Sequence, residues 1–451
     1  MNMKAIKNFY FLGIGGIGMS ALARYFHAMG KTVAGYDRTE TNLSRQMEKE
    51  NIPITYQDSP HTLPHWLNPR DSLIVYTPAL PKNLQQWQVL KNRFYPIKKR
   101  SEVLGLITQN SFCLAVAGSH GKTTTCTLLG HILHNAGKKI TAFLGGIAEN
   151  YQSNLIFGGQ EILVVEADEF DRSFLQLSPD ISCITSIDAD HLDIYQDKKT
   201  LEKAYQTFAE RLKPKGKLFI KKGIPISGGI TYASESKADY YSDHLQLEQG
   251  HFLFDFYSPE ETWKNLPLPL PGRHNLENTT AALAMALQMK VTVYEARAAL
   301  SSFRGVKRRF FIQHRSDKKI YIDDYAHHPT EIDALIQATR EQFPNKKILG
   351  IFQPHLFSRT RDFQEAFAKS LKKLDALILL EIYPAREPPI EGITSEALLK
   401  KIKLTEKETS NLSDVLEKIR TKNFDVLLTI GAGDINTLVT PIRKWLEEQY
   451  G

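Results

Sequence analysis

Along most of the chain, short apolar runs alternate with stretches of helical period, and the runs repeatedly end in glycine or in acidic residues. Phe9–Ile14 is such a run; it breaks into glycines and is followed by MSALARYFHAMG, which reads as a helix, and by TVAGYD, which reads as a second strand. The same order recurs further on. LAVA (114–117) leads into GSHGK and then into the helical pattern TTTCTLLGHILHNAG. Residues 217–270 change character to short alternating strands with turns, and LPLPLPG (266–272) reads as a stiff extended connector before a helix over Asn275–Leu287. From about Gly305, strands are expected at KIYIDDYA, KKILGIFQ, DALILLEIY and DVLLTIGAG, separated by helices such as PTEIDALIQATREQF. Strand, turn, helix, strand predicts parallel α/β sheets. At 451 residues the chain exceeds one ordinary core, so we expect three α/β domains, at 1–105, 106–304 and 305–451.

Composition narrows this picture only slightly. The chain is 42% hydrophobic without an apolar run near membrane length, so no span is expected. Its N-terminus lacks a charged-then-apolar leader pattern, and its three cysteines form no C-x-x-C pair, which together point to the cytoplasm. Net charge is +7, from 57 basic against 50 acidic residues. The basic runs at 98–100 and 307–309 lack interleaved aromatics, so anionic small substrates are expected rather than nucleic acid. No membrane partner is expected either, and the chain is expected to act as a monomer or weak homodimer.

Two glycine motifs carry the chemistry. Gly118, Ser119, His120, Gly121, Lys122, Thr123 and Thr124 form a phosphate loop whose backbone N–H groups can wrap nucleotide phosphates. Lys122 supplies fixed positive charge there, and Thr123 a hydroxyl for magnesium. Val116 stands where the standard pattern has its first glycine, yet strand, glycine turn and helix are retained. Upstream, Gly13, Gly15 and Gly18 give G-x-G-x-x-G after a strand, with Gly16 and Ile17 between them; Asp37 ends the next strand. A diphosphate on the helix start and an acid on a ribose suit that arrangement. The motif itself leaves the nucleotide open.

Acids follow. The strand at ILVVE ends in Glu166, Asp168, Glu169 and Asp171, and the strand at ISCITSI ends in Asp188, Asp190, His191 and Asp193. Carboxylates at strand ends beside a phosphate loop suit a hard divalent cation. A third polar group gathers in the last block: Asp323, Asp324, His327 and His328, then His355, Arg359 and Arg361, then Arg386 and Glu387. Each set follows a strand, where open α/β sheets bind ligands.

Taken in order, GIGGIGMS, AGSHGKTTT, EADEFDRSF, DADHLDIY, PGRHNLENTTAA, GVKRRF, DDYAHHPTE, SRTRD and YPAREPPIEGITSE resemble the Mur ligase family over nearly the whole chain. The missing first glycine is that family's form. The resemblance implies a Rossmann-like first domain holding a UDP-sugar, a central ATP-binding domain and a closing C-terminal domain. It implies ATP-dependent ligation of L-alanine to the lactyl carboxylate of UDP-N-acetylmuramic acid, a step of peptidoglycan precursor synthesis, with magnesium. By motif match, Lys122 and Thr123 serve the ATP phosphates and magnesium, and Glu166 and His191 the metal site. Asn275, Asn278, Arg309 and Asp324 contact the nucleotide, while Arg100 joins Gly15, Gly16, Ile17, Gly18 and Asp37 on the UDP-sugar. His328, Arg359 and Arg386 are expected around alanine and the acyl phosphate. Alternatives remain: a recycling ligase that joins a tripeptide to the same sugar, a nicotinamide-dependent dehydrogenase, or a nucleotide switch. The family's recycling branch typically carries a cysteine-containing variant of the first glycine loop, which Ile14–Gly18 here lacks.

Overall fold

The computed structural model describes residues 3–81, 83–188, 195, 197–385 and 387–451. Among the described residues the strands form three sheets, which contain the expected strands together with others the sequence reading does not name, such as Ile140–Ala148, Ser153–Phe157, Phe311–Arg315 and Glu406–Ser410. The first runs in the order Ile54–Thr55, Thr32–Tyr36, Asn8–Leu12, Ser72–Tyr76, Ile97–Lys99, all parallel. Chain direction away from Asn8–Leu12 reverses at that strand, so the glycine loop that follows it sits at the switch point where ligands bind.

Among the described residues the second sheet has ten strands, with Phe112–Ala117 between Ile162–Glu166 and Ile181–Ile184. This order places the phosphate loop between the ends of two neighbours, one carrying Glu166 and the other leading to Thr185 and Ser186. The sheet continues through short strands to an antiparallel pair, His251–Tyr257 with Thr262–Pro267. Residues 266 and 267 of the proline-rich run thus lie in a strand, and the connector proper begins after them.

The third sheet runs Phe311–Arg315, Ile320–Asp324, Val426–Ile430, Ile348–Phe352, Ala376–Leu380, Glu406–Ser410. Its central strands read as continuous apolar runs because both faces are covered. Ile322, Phe352, Leu379 and Leu428 pack on one side; Tyr321, Ile351, Ile378 and Leu427 pack on the other, with Ile442 and Trp445 of the last helix. The two outer strands carry no such apolar signal. Glu406–Ser410 (EKETS) is polar throughout, as an edge strand that must resist further pairing can be.

By backbone contacts the chain forms two compact units. One comprises Met1–Gln246, Leu253–Pro267 and Glu277–Arg304; the other comprises Leu247–Phe252, Leu268–Leu276 and Gly305–Gly451. The first unit holds both glycine loops on one continuous core, from Phe9 and Phe26 through Phe143 and Val165 to Phe208. A buried polar lock reinforces it. Arg24, only 5% exposed, makes two hydrogen bonds to Glu50 at 2.7 and 2.8 Å and one to Asn154 Oδ1 at 2.5 Å. Asn154 in turn donates to the Ile17 carbonyl at 2.6 Å and Ser20 Oγ at 2.8 Å. Burying a guanidinium is costly unless paired, and here all three of its bonding groups are engaged. Cys113, Cys126 and Cys183 are buried free thiols. Among the described residues no helix is long and apolar enough to cross a membrane.

Candidate active site

The phosphate loop owes its shape to two glycines in the left-handed region, Gly118 (φ +137°) and Gly121 (φ +82°). Neither tolerates a side chain: a Cβ on Gly118 would lie 2.0 Å from Thr185 Oγ1, and one on Gly121 2.3 Å from Asn278 Oδ1. The expected nucleotide contact Asn278 therefore stands directly on the loop. The helix Lys122–Asn135 begins without a side-chain cap, so its first N–H groups and its dipole form an anion cradle.

Lys122 does not float in that cradle. Its ammonium donates to the Gly118 carbonyl at 2.5 Å and meets both carboxylate oxygens of Glu169 at 2.8 and 2.9 Å. Burial pulls its pKa down, but the charges of Glu169, Asp168 and Glu166 outweigh this and leave it above the ordinary lysine value. The lysine is a permanent cation. Thr123 donates to Glu166 Oε1 at 3.0 Å, and Gly145 N donates to Glu166 Oε2 at 2.9 Å. A hydroxyl and a carboxylate side by side at a phosphate cradle are the oxygen donors magnesium takes, the remaining positions going to water and phosphate. Among the described residues no three His, Cys, Asp or Glu side chains converge as a metal cluster. His191 lies outside the described residues.

Ser119 and His120 are held from the other neighbouring strand end. Ser119 Oγ exchanges hydrogen bonds with the Asp188 backbone at 3.0 Å each way, and His120 N donates to Ser186 Oγ at 2.8 Å. His120 also approaches Asp188 Oδ2 at 3.4 Å. Thr124 is buried in the first helical turn. These contacts fix the loop's path.

In the first glycine loop Gly13 (φ +83°) makes the turn, and Gly15 N donates to Asp37 Oδ2 at 2.8 Å. Gly16 precedes the helix Ile17–Ala28, which likewise has no side-chain cap. A Cβ on Gly18 would meet Arg100 Nη1 at 2.9 Å, so Arg100, first residue of the helix Arg100–Gln109, reaches across this helix start. Arg100 also borders a small hollow with Glu166 and Asp168, linking the two loops within one unit.

The second unit gathers the C-terminal candidates. Asp324 accepts backbone N–H groups from Phe310 at 2.6 Å and Ala326 at 2.7 Å, yet burial pushes its pKa up to about 6 against the pull of Arg309. Arg308 pairs with buried Asp323 at 3.4 Å, and Arg309 lies 3.9 Å from Glu331; both guanidinium groups stand over the Tyr325 ring. Arg359 is buried with Nη1 3.3 Å from His355 Nδ1. His328 serves locally as the N-cap of Pro329–Gln342, accepting from Thr330 N at 3.3 Å, its ring packed edge-on against Phe363. Asn275 belongs to this unit and donates to the Pro271 carbonyl at 2.8 Å. Arg386 lies outside the described residues.

The sequence alone does not single out Glu169 as the partner of Lys122. The motif offers four acids in six positions, and the fold brings Glu169 to the lysine, just before a turn through Asp171 and Arg172 at left-handed φ (52° and 53°). Nor does it separate Arg308 from its neighbour Arg309, since a pair of adjacent arginines gives no spacing signal.

Models of Mur ligase domains match almost end to end: the Mur ligase family catalytic domain over 8–111, the Mur ligase middle domain over 116–286 and the Mur ligase glutamate ligase domain over 308–433. The chain belongs to the Mur ligase family. Among its relatives, the UDP-N-acetylmuramate–L-alanine ligase of Christiangramia forsetii is 52% identical over 447 residues, 99% of both chains. That of Flavobacterium psychrophilum is 50% identical over the full length of both. Among solved structures, the UDP-N-acetylmuramate–alanine ligase of Thermotoga maritima superposes with a TM-score of 0.83 at 28% identity, covering 98% of this chain and 99% of that one. A murein peptide ligase from Psychrobacter arcticus shares the fold at TM-score 0.70 and 22% identity, covering 98% of each chain.

Proposed function

We propose that this Mur ligase joins L-alanine to the lactyl carboxylate of UDP-N-acetylmuramic acid, consuming ATP and releasing ADP and phosphate. The observation that carries the reading is the pairing, on one core, of a lysine-bearing phosphate cradle with a second, lysine-free glycine loop crossed by Arg100. A relative of that activity matches over the whole length at 52% identity.

In this reading residues 1–105 grip the UDP-sugar, 106–304 bind ATP, and 305–451 present the amino acid. Gly15, Gly16, Ile17 and Gly18 face the diphosphate, with Asp37 on a ribose or sugar hydroxyl and Arg100 supplying countercharge, while Arg386 is assigned with Arg359 and His328 to the site around alanine and the acyl phosphate. Gly118, Ser119, His120, Gly121, Thr124, Asn275, Asn278, Arg309 and Asp324 surround the nucleotide. Lys122 neutralises the repulsion between the incoming carboxylate and the γ-phosphate, and stabilises charge on the transferring group. Thr123, Glu166 and His191 would hold magnesium, which supplies Lewis-acid neutralisation of the phosphate oxygens. The carboxylate takes the phosphoryl group to give an acyl phosphate, ADP leaves, and the alanine amine attacks the acyl carbon. The tetrahedral intermediate then expels phosphate, with Arg359 and His328 placed around the reacting group. Exclusion of water protects the acyl phosphate from hydrolysis.

The test is ligation followed by mass spectrometry, with UDP-N-acetylmuramic acid, L-alanine, ATP and magnesium. A UDP-sugar heavier by one alanine residue, with ADP formed, is expected. Joining of the stem tripeptide in place of alanine would make this the recycling ligase. No reaction with either amine, by folded protein that binds ATP, would overturn the ligase reading.

A further inference from the structure

The helix Phe357–Leu371 carries Arg359 in its first turn, yet it begins in an unfavourable way. Leu356, before it, sits at φ +71°, in the left-handed region a branched residue avoids, and no side chain of the adjoining residues caps the helix. The missing cap arrives from a different loop. Glu387 accepts the Ser358 N–H at 2.9 Å with one carboxylate oxygen and the Ser358 hydroxyl at 2.5 Å with the other. The two loops are also stitched along their backbones: Leu356 N donates to the Tyr383 carbonyl at 2.9 Å, and Tyr383 N to the Pro354 carbonyl at 2.8 Å. Between these ties the His355 ring stacks on Tyr383 with centroids 5.7 Å apart, and its Nδ1 lies 3.3 Å from Arg359 Nη1.

The consequence is geometric. Arg359 follows Ser358 directly, so its backbone position depends on the first turn that Glu387 holds. A carboxylate at a helix start also favours that turn electrostatically. Nothing local to the helix could replace it, because the strained Leu356 occupies the capping position.

We propose that Glu387 is a positioning residue for the ligation: by clamping Ser358 it fixes the first turn of Phe357–Leu371 and holds Arg359 ready for the anionic group of the substrate. The proposal rests on the reading that Arg359 meets alanine or the acyl phosphate. Glu387 itself touches no reacting atom. Its loss acts through a misplaced guanidinium and not through lost charge at the site.

A double-mutant cycle on the full chain tests this, after ligation by the unmodified protein has been established. Glu387→Gln keeps one acceptor oxygen for the Ser358 N–H but sets an NH2 donor against the Ser358 hydroxyl and removes the charge at the helix start; Arg359→Lys keeps the charge and loses the fork. Glu387→Gln is expected to raise the KM for L-alanine or lower kcat by about tenfold, leaving the KM values for ATP and UDP-sugar nearly unchanged. Adding Glu387→Gln to Arg359→Lys should then cost less than about twofold more, because the two act as one unit. Glu387→Asp, which keeps both oxygens, should recover part of the loss. Independent, multiplying effects would overturn the proposal, as would a Glu387→Gln enzyme with unaltered kinetics. A kinetically silent Arg359→Lys would remove the role assigned to Arg359, and this inference with it, while leaving the overall ligase activity standing.

Discussion

The two glycine loops share a plan and differ in what surrounds them. Each follows a central parallel strand, turns on a left-handed glycine and opens a helix without a side-chain cap. In the first, the surroundings are the ends of side chains: the Asp37 carboxylate against Gly15 and the Arg100 guanidinium against Gly18. In the second they are locked: Thr185 Oγ1 and the Ser186 backbone nitrogen against Gly118, and Lys122 held by a carbonyl and a carboxylate. Recognition of a sugar nucleotide can use adjustable partners. Phosphoryl transfer gains from charges already in place, since reorganisation during the reaction raises the barrier. A loop that only binds can be soft; one that does chemistry is built hard.

The sharpest way to break this comparison is Lys122→Ala. Turnover should fall by about a thousandfold or more, equivalent to about 4 kcal/mol of barrier, with the protein still folded. Asp37→Asn should instead raise the KM for UDP-sugar about tenfold and leave kcat nearly intact. If both variants lower kcat alike, the division between binding and chemistry is wrong. Next in size is Gly118→Ala, which combines a forbidden φ with a clash that backbone must absorb. It should cost about 2–4 kcal/mol in urea unfolding and abolish nucleotide binding. Gly18→Ala displaces only an arginine tip and should cost under about 1 kcal/mol, appearing mainly as weaker UDP-sugar binding in titration.

Acidity sharpens the contrast further. His131, buried on the phosphate-loop helix, bonds Tyr151 OH at 2.9 Å and the Ala299 carbonyl at 3.1 Å, and burial lowers its pKa to about 4. The unfolded chain takes up this proton near pH 6.5 and the folded chain only near 4. Its contribution is thus complete above pH 6.5 and lost as pH falls from 6.5 to 4, on the order of 2 kcal/mol. Urea midpoints between those pH values should fall less steeply in a His131→Gln variant; an unchanged slope would refute the assignment.

Much of this is legible in the sequence itself. Strand, glycine and helix signals place both loops, because apolar runs and glycine turns are local properties. Asp37 lies against Gly15, Arg100 against Gly18 and Thr123 against Glu166, so residues singled out in separate motifs come together in the fold. What the sequence hides depends on distant pairing. Arg24 and Asn154 are 130 positions apart, and no periodicity announces that they bond. Glu169 is one acid among several until the fold sets it against Lys122. His328, expected at the closed site, also caps its own helix, a duty that any His-Pro helix start could conceal.

The lock around Arg24 bears on how such enzymes can be recombined. Helix Ile17–Ala28 and strand Ser153–Phe157 share one polar cluster beside a core that both sheets contribute to, with Arg24 and Asn154 buried. A chimaera whose imported first hundred residues lack that arginine would leave the fully buried Asn154 Oδ1 without its donor. The transplantable cassette is therefore longer than the sugar-binding segment: it extends at least through Ser153–Phe157, and a graft that respects that seam should keep its grip on UDP-sugar while a shorter one aggregates.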